Sequence, residues 1–595
     1  MSEGDNMLGD VINGVIGPIF DATWSSLKSQ YHEGLKDTEL KQERIKAEKA
    51  IEQASAKYHQ NYLDRHCNIK VLPGLMKEGM PLDTIYTAVK FLRDWDLGYF
   101  SSNLDDLEEQ YRQANKRQFR LISGYVRQNG LEVANQKQYL MVLGGPGVGK
   151  STFLRKLGLD ALQGRLTHNL KPVMPVFIEL KSLKIEEINL LQVIAEELKI
   201  SGFPYSESLV ESMLSEGKMM ILLDGLDEFP SKRVKSVIKQ IQNFCDQHSQ
   251  NRFVASCRIA AYKGGFNRFN DVTMDEFDDV QIMQFIQRWF SSELDNQLGT
   301  AQKFCELLQQ SENASAKELA QTPLLLTFLC LVYDRSQSLP TVRSTLYGKA
   351  LNILLEDWAA EKRIEQDPIY QGFYTDLEKI LLSEIAYQSF KADQLFFSEQ
   401  NLTERIAEFL ADTLDAPKHL DGANVLNAIE VQQGILVERA ANAYSFSHLT
   451  LQEYLAAQYI SSQWLIEGLV SEHLTDARWR EVFLLVSGLV DRRSHELLLA
   501  MEQQANAFIR LLKLQVLLQW ATELSDSSLP NNPILASRAW LLYSAIDSAS
   551  ARDRAIDSAI ARAIARAIDS ARASAIAIER ARAIASASAI DSASE

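Results

Sequence analysis

The chain is expected to fold around an α/β core with a parallel central sheet, flanked by all-helical regions at both ends. Three observations predict this. Short β-like runs, "YLMVL" (139–143), "VFIEL" (176–180), "MMILLD" (219–224) and "RFVASC" (252–257), alternate with helical stretches. Such alternation implies crossover helices on a parallel sheet. One connecting stretch, "SKRVKSVIKQIQNFCDQ", sets Val234, Val237, Ile238, Ile241, Phe244 and Cys245 on one face at helical spacing. From residue 281 to 545 the pattern is helical throughout.

Composition narrows the class. A chain of 595 residues holds several domains, and 46% apolar with 24% charged residues is ordinary for soluble globular protein. The net charge of −16 argues against a non-specific nucleic-acid binder, which needs a basic face. Cys67, Cys245, Cys257, Cys305 and Cys330 form no CxxC pair and share no metal-ligand spacing with histidine. They read as reduced core thiols of a cytoplasmic protein. The apolar run "PLLLTFLCLVY" (323–333) is too short to span a membrane, and the N-terminus "MSEGDNMLGD" is acidic, unlike a secretion signal.

The ends carry less information. Residues 1–95 read as a helical effector or adaptor region, and "MLGDVINGVIGPIF" (7–20) pairs apolar residues every four positions. That stripe suits packing, helix assembly or, less well, a membrane surface, since it lacks a Lys/Arg face. No nuclease, protease or TIR-like signature is found there. The tail 546–595 alternates Ala, Asp or Glu with Ile, Ser or Arg. Its period suits a strand, whereas its alanines suit a helix or disorder.

The chemistry is concentrated after the first β run. "GGPGVGKST" (144–152) fits G-x-x-x-x-G-K-[ST] between a strand and a helix. In the loop Gly144, Gly145, Pro146, Gly147, Val148 and Gly149, the glycines would let backbone N–H groups turn inward around phosphate oxygens. The following helix adds the positive end of its dipole. Lys150 would reach the β- and γ-phosphates, and Ser151, beside Thr152, would bind Mg2+. "ILLDGLDEFP" (221–230) then sets Asp224, Asp227 and Glu228 behind an apolar strand. Asp224 is expected to hold the metal, which supplies the positive charge the acidic cluster calls for. Glu228, with Asp227 close behind it, is expected to orient or deprotonate the attacking water. The alternative for this pair is a solvated acidic turn. Arg258 ends the next strand, where it would sense the γ-phosphate or close a salt bridge at the sheet edge. No [NT]KxD segment follows, so ATP/ADP is expected over guanine nucleotides.

These residues, in this order, resemble the NACHT module of the STAND signal-transducing NTPases. The shared marks are "GGPGVGKST", "LLDGLDEF" and "SCRIAAY". "FDDVQIMQFIQRWF" (277–290), "ELAQTPLLLTFLCLVY" (318–333), "LPTVRSTLYGKALNILLEDW" (339–358) and "FSHLTLQEYLAA" (446–457) extend the likeness through helical and winged-helix subdomains. The resemblance implies an AAA-like P-loop core, with Pro323 touching the base and His448 touching the β-phosphate of ADP. The implied organisation is 1–95 effector or adaptor, 96–138 linker into the core, 139–280 nucleotide-binding domain, 281–350 helical subdomain and 351–460 winged helix. Residues 461–545 follow as a helical candidate sensor, then the tail.

What the family implies is a switch with slow, Mg2+-dependent hydrolysis. ADP keeps it closed, ATP opens it, and opened copies form a homo-oligomer after sensing a phage-derived or cellular trigger. No leucine-rich repeat is present, which suits a compact bacterial member active in defence against phage. The other readings are an AAA-like motor, for which no arginine finger or pore is found, and an ATP-gated transcription regulator, for which region 351–460 is not notably basic.

Overall fold

The structure is a computed structural model. It describes residues 37–509 and Gln515, apart from 73–74, 94–126, 169–170, 184–188, 205, 229–230, 260, 263, 341, 358–374, 414–420, 441 and 491–492. The stripe at 7–20 and the tail 546–595 lie outside the described residues.

The elements of the core, in order, are α1 (Asp37–His66), β1 (Lys90–Arg93), β2 (Gln128–Asn129), β3 (Tyr139–Gly144), α2 (Lys150–Leu162), β4 (Met174–Glu179) and α3 (Leu190–Ser201). Then come α4 (Ser206–Ser215), β5 (Met219–Asp224), α5 (Ser231–Gln247), β6 (Arg252–Arg258) and β7 (Asn270–Met274). They form one seven-stranded sheet in the order β2-β1-β7-β3-β6-β5-β4. The pairs from β7 to β4 are parallel, and β1 and β2 join antiparallel at one edge. Every residue of β3, β5 and β6 is buried, as continuous apolar runs in a sheet covered on both faces should be. Parallel pairing brings the carboxyl ends of these strands to one edge, where ligands collect in such sheets. Gly144 pairs directly with Arg258 there.

The N-terminal region departs from an all-helical reading. Residues 37–66 are helical, but β1 is a strand of the core sheet and 68–69 pairs with 80–81 as a small ribbon. Phe91 is buried in β1, and of Lys90–Arg93 it alone is a strong strand former, so pairing with β7 rather than local propensity holds the segment extended. The α1 helix also docks on the core. Tyr58 Oη donates to Pro175 O at 2.7 Å, and Arg65 pairs with Glu197 at 2.5 Å.

Beyond the sheet come α6 (Asp279–Trp289) and α7 (Pro323–Ser336), with four shorter helical segments between them. Asp278 caps α6 reciprocally with Gln281, whose side chain also donates to Ala88 O at 2.9 Å. Further on, β8 (Phe397–Ser398), α8 (Glu399–Asp412), α9 (Gly422–Ala428), β9 (Leu436–Ala440) and β10 (Ala443–Phe446) make a small antiparallel sheet with helices, ordered β8-β10-β9. That is the winged-helix pattern.

The chain divides into two compact units. Of the described residues, the first gathers those up to 339 with those in 349–378 and 394–451, and the second those in 340–348 and 379–393 with those from 452 onward. Within the second, Trp479 is fully buried between Phe390 and the stacked ring of His473, and Arg343 pairs with Glu481 at 2.6 Å. All five cysteines are free thiols. No helix among the described residues is long and apolar enough to cross a membrane.

Candidate functional site

The loop after β3 is shaped by its glycines. Gly147 and Gly149 have φ of 70° and 103°, the left-handed region that side chains avoid. Gly149 caps α2, so the first free N–H groups of that helix face the loop. A Cβ built at Gly145 or Gly149 meets nothing within 4 Å, which leaves a bare backbone cradle. Lys150 folds back into it, with Nζ donating to Gly144 O at 2.8 Å and Gly145 O at 2.9 Å.

A cavity opens on this cradle. Its polar end is formed by residues 147–152 with Asp224, Asp227, Ser256 and Arg258. Its apolar end is formed by Ile69, Val71, Ile85, Tyr86, Val89, Phe277, Phe285 and Pro323. The glycine loop and a set of apolar side chains thus share one space. Sequence reasoning named 147–152, Asp224, Asp227, Arg258 and Pro323 but not Ser256. It missed 69–89, because no spacing rule marks a cavity wall made of scattered apolar side chains. Thr87 also lines this end, 3% exposed, and its hydroxyl has no hydrogen-bond partner among the described residues. Buried hydroxyls ordinarily find partners, so this one is available to a water or another polar group in the cavity.

The acidic cluster divides in two. Asp224, 7% exposed, accepts from Ser256 Oγ through Oδ1 at 2.6 Å. Asp227 is engaged by Arg258 at both oxygens: Oδ1 accepts from Arg258 N at 3.0 Å, and Oδ2 pairs with Arg258 Nε at 2.9 Å. Their side chains are 5% and 4% exposed. Asp227 is therefore not part of a solvated turn. The salt bridge read as the alternative for Arg258 is formed, with Asp227 as its partner. Glu228 ends a short turn, and its side chain lies outside the described residues.

His448 does not line the cavity. It is 6% exposed, with Nε2 3.1 Å from Thr322 Oγ1 and Nδ1 3.2 Å from Ser447 Oγ. Burial, with Arg439 nearby, holds its pKa down at about 3, so the ring is neutral. Thr322 precedes Pro323, which places His448 one residue behind the apolar wall. Two residues on, Thr450 Oγ1 donates to Glu318 Oε2 at 2.8 Å. Leu324 N donates to Gly147 O at 3.2 Å. Gly434, at φ 62°, sits so close to the loop that a Cβ there would lie 2.3 Å from Pro146 Cγ.

Comparison with known proteins identifies two domains. Residues 138–293 match the model of the NACHT domain, and residues 343–460 match that of the winged helix-turn-helix domain C-terminal to NACHT. No curated protein is significantly similar in sequence. Among solved structures, a STAND protein with a tetratricopeptide repeat sensor from Pyrococcus horikoshii is 14% identical at a TM-score of 0.22. The match covers 76% of this chain and 64% of that one, so the chain spans less than two thirds of that relative's length. RuvB of Thermotoga maritima is 14% identical at a TM-score of 0.25, over 58% of this chain and 95% of its own. Cdc6p of Pyrobaculum aerophilum is 12% identical at 0.22, over 63% and 99%.

Proposed function

We infer, from the premise that this chain carries a NACHT domain followed by its winged helix, that it is a nucleotide-switched NTPase. ADP holds it closed, ATP opens it, and opened copies assemble. The observation that supports this best is the grip on the glycine loop. Leu324 from the helical subdomain bonds Gly147, Gly434 from the winged helix abuts Pro146, and Thr322 and His448 tie those two gripping elements together. Any ligand that changes the shape of residues 144–149 must disturb both grips at once. A two-state element biased by a ligand is what a switch requires.

The residues present fit a magnesium nucleotide. The cradle is bare at Gly145 and Gly149, Asp224 is a buried carboxylate lining the cavity, and Ser151 lines the same end. Ser151 and Asp224 would hold the metal, which when bound neutralises phosphate charge. Lys150 would exchange its two loop carbonyls for phosphate oxygens. Thr87 and the aliphatic wall 69–89 would take an adenine base, Thr87 meeting a ring nitrogen or exocyclic amine. With both Asp227 oxygens turned to Arg258, Glu228 is the better candidate for orienting water. Hydrolysis would be slow and would reset the closed form.

Nucleotide content and turnover test the reading. The chain, purified and denatured, is expected to release one ADP per protein, and to turn over ATP slowly. Brisk steady hydrolysis with no retained ADP would instead mark a motor-like ATPase. The finer reading, defence against phage by a self-assembling sensor, is tested by challenging cells that express wild type or Lys150→Ala. Loss of protection in the variant is expected; equal protection would remove the nucleotide from the account.

A further inference from the structure

Ser256 lies on β6, the strand between the one that feeds the glycine loop and the one that ends in Asp224. It is 1% exposed and lines the cavity's polar end. Its hydroxyl makes two bonds. Oγ accepts from Gly225 N at 2.9 Å and donates to Asp224 Oδ1 at 2.6 Å. A serine hydroxyl has one proton, and here it is spent on a carboxylate, in the short, charge-assisted kind of bond. The Gly225 N–H holds Oγ from the other side. Gly225 has φ 83°, so the turn after β5 aims this N–H from a backbone shape that favours glycine.

We propose that Ser256 is a positioning residue for the metal site. It fixes the rotation of the Asp224 carboxylate, commits Oδ1 to the protein, and leaves Oδ2 as the oxygen to serve the magnesium ion or its water. Because its single proton is taken, Ser256 does not itself donate to phosphate or to the attacking water. It acts only through Asp224. This inference rests on the nucleotide-binding reading above. Arg258, two residues further along the strand, is occupied with Asp227 instead, so the two carboxylates are held by separate partners.

The test uses the full chain, stripped of nucleotide, titrated with a non-hydrolysable ATP analogue in excess Mg2+ and again in EDTA. The variants are Ser256→Ala and the shape-matched pair Ser256→Thr and Ser256→Val. Wild type and Thr, which keep the hydroxyl, are expected to bind more tightly with Mg2+. Ala and Val are expected to lose about tenfold or more of that metal-dependent gain, as is usual when a ligand's supporting hydrogen bond is removed. Their affinity in EDTA is expected to match wild type. If Ala and Val keep the full magnesium effect, or lose affinity equally in both buffers, Ser256 only packs the strand and the inference is overturned. Should Ser256→Ala not fold, the Thr and Val pair carries the comparison, since the two differ by the hydroxyl alone. Wild type that binds nothing in either buffer overturns the nucleotide reading itself, and this inference with it.

Discussion

Asp227 and Arg258 bury opposite charges against each other at a strand end, each nearly closed to water. Removing one member of such a pair leaves the other charge in a poor solvent. Arg258→Ala is therefore expected to destabilise the fold by about 3 kcal/mol or more in a urea melt, with Arg258→Lys losing less. A loss within error would mean that the carboxylate is hydrated after all. His448 gives a pH dependence. Its folded pKa, about 3, lies below the ordinary 6.5, so the unfolded chain binds the extra proton between those values. Stability from this group is full above pH 6.5 and falls as pH drops towards 3. Acidification from 6.5 to 5 should cost about 2 kcal/mol at this residue. His448→Gln should flatten that part of the profile, though His66, also held at about 3 by burial, will keep a slope of its own. At this scale the phosphate motif was fully legible, because its spacing is the chemistry. Asp224 was legible as a strand end. That Asp227 faces Arg258 was not, because 31 residues separate them and only the sheet brings them together.

At the scale of elements, α1 is held against α2 by a close approach. A Cβ at Gly158 would lie 1.8 Å from Tyr62 Oη and 2.8 Å from Cζ. Gly158→Ala is expected to cost about 1–3 kcal/mol by overpacking. Adding Tyr62→Phe should recover part of this, and a double-mutant cycle of melting curves reads the coupling. No coupling would mean the helices slide apart freely. A second junction joins Thr450 to Glu318. Thr450→Val removes a hydrogen bond to a buried carboxylate, worth about 1.5–3 kcal/mol. The β3, β5 and β6 strands were readable as apolar runs between helical stretches. The strand at 90–93 was not, because four residues carry no usable period, and its pairing with β7 is decided by tertiary structure.

In the first compact unit, segments far apart in sequence meet at or directly behind one cavity. The stretch 69–89 forms the apolar wall, 144–152 the cradle, and 318–324 with 434–450 the grip behind it. Composition and motif spacing suggested the order of these parts but not their convergence, since nothing in a linear chain announces which distant aliphatic residues share a wall. If the grip governs the closed form, Gly434→Val should loosen it: the side chain is strained at φ 62° and collides with Pro146. Light scattering is expected to show larger species for this variant than for wild type at equal concentration, with faster exchange of bound ADP. An unchanged monomer with unchanged exchange would detach the winged helix from nucleotide control. The most direct measurement is photolabelling of the purified chain with 8-azido-ADP, followed by peptide mapping. Label on peptides from 69–89 or 277–327, blocked by excess ADP, is the expected result. Label that falls elsewhere, or that ADP does not block, would contradict the assignment of this cavity to an adenine nucleotide.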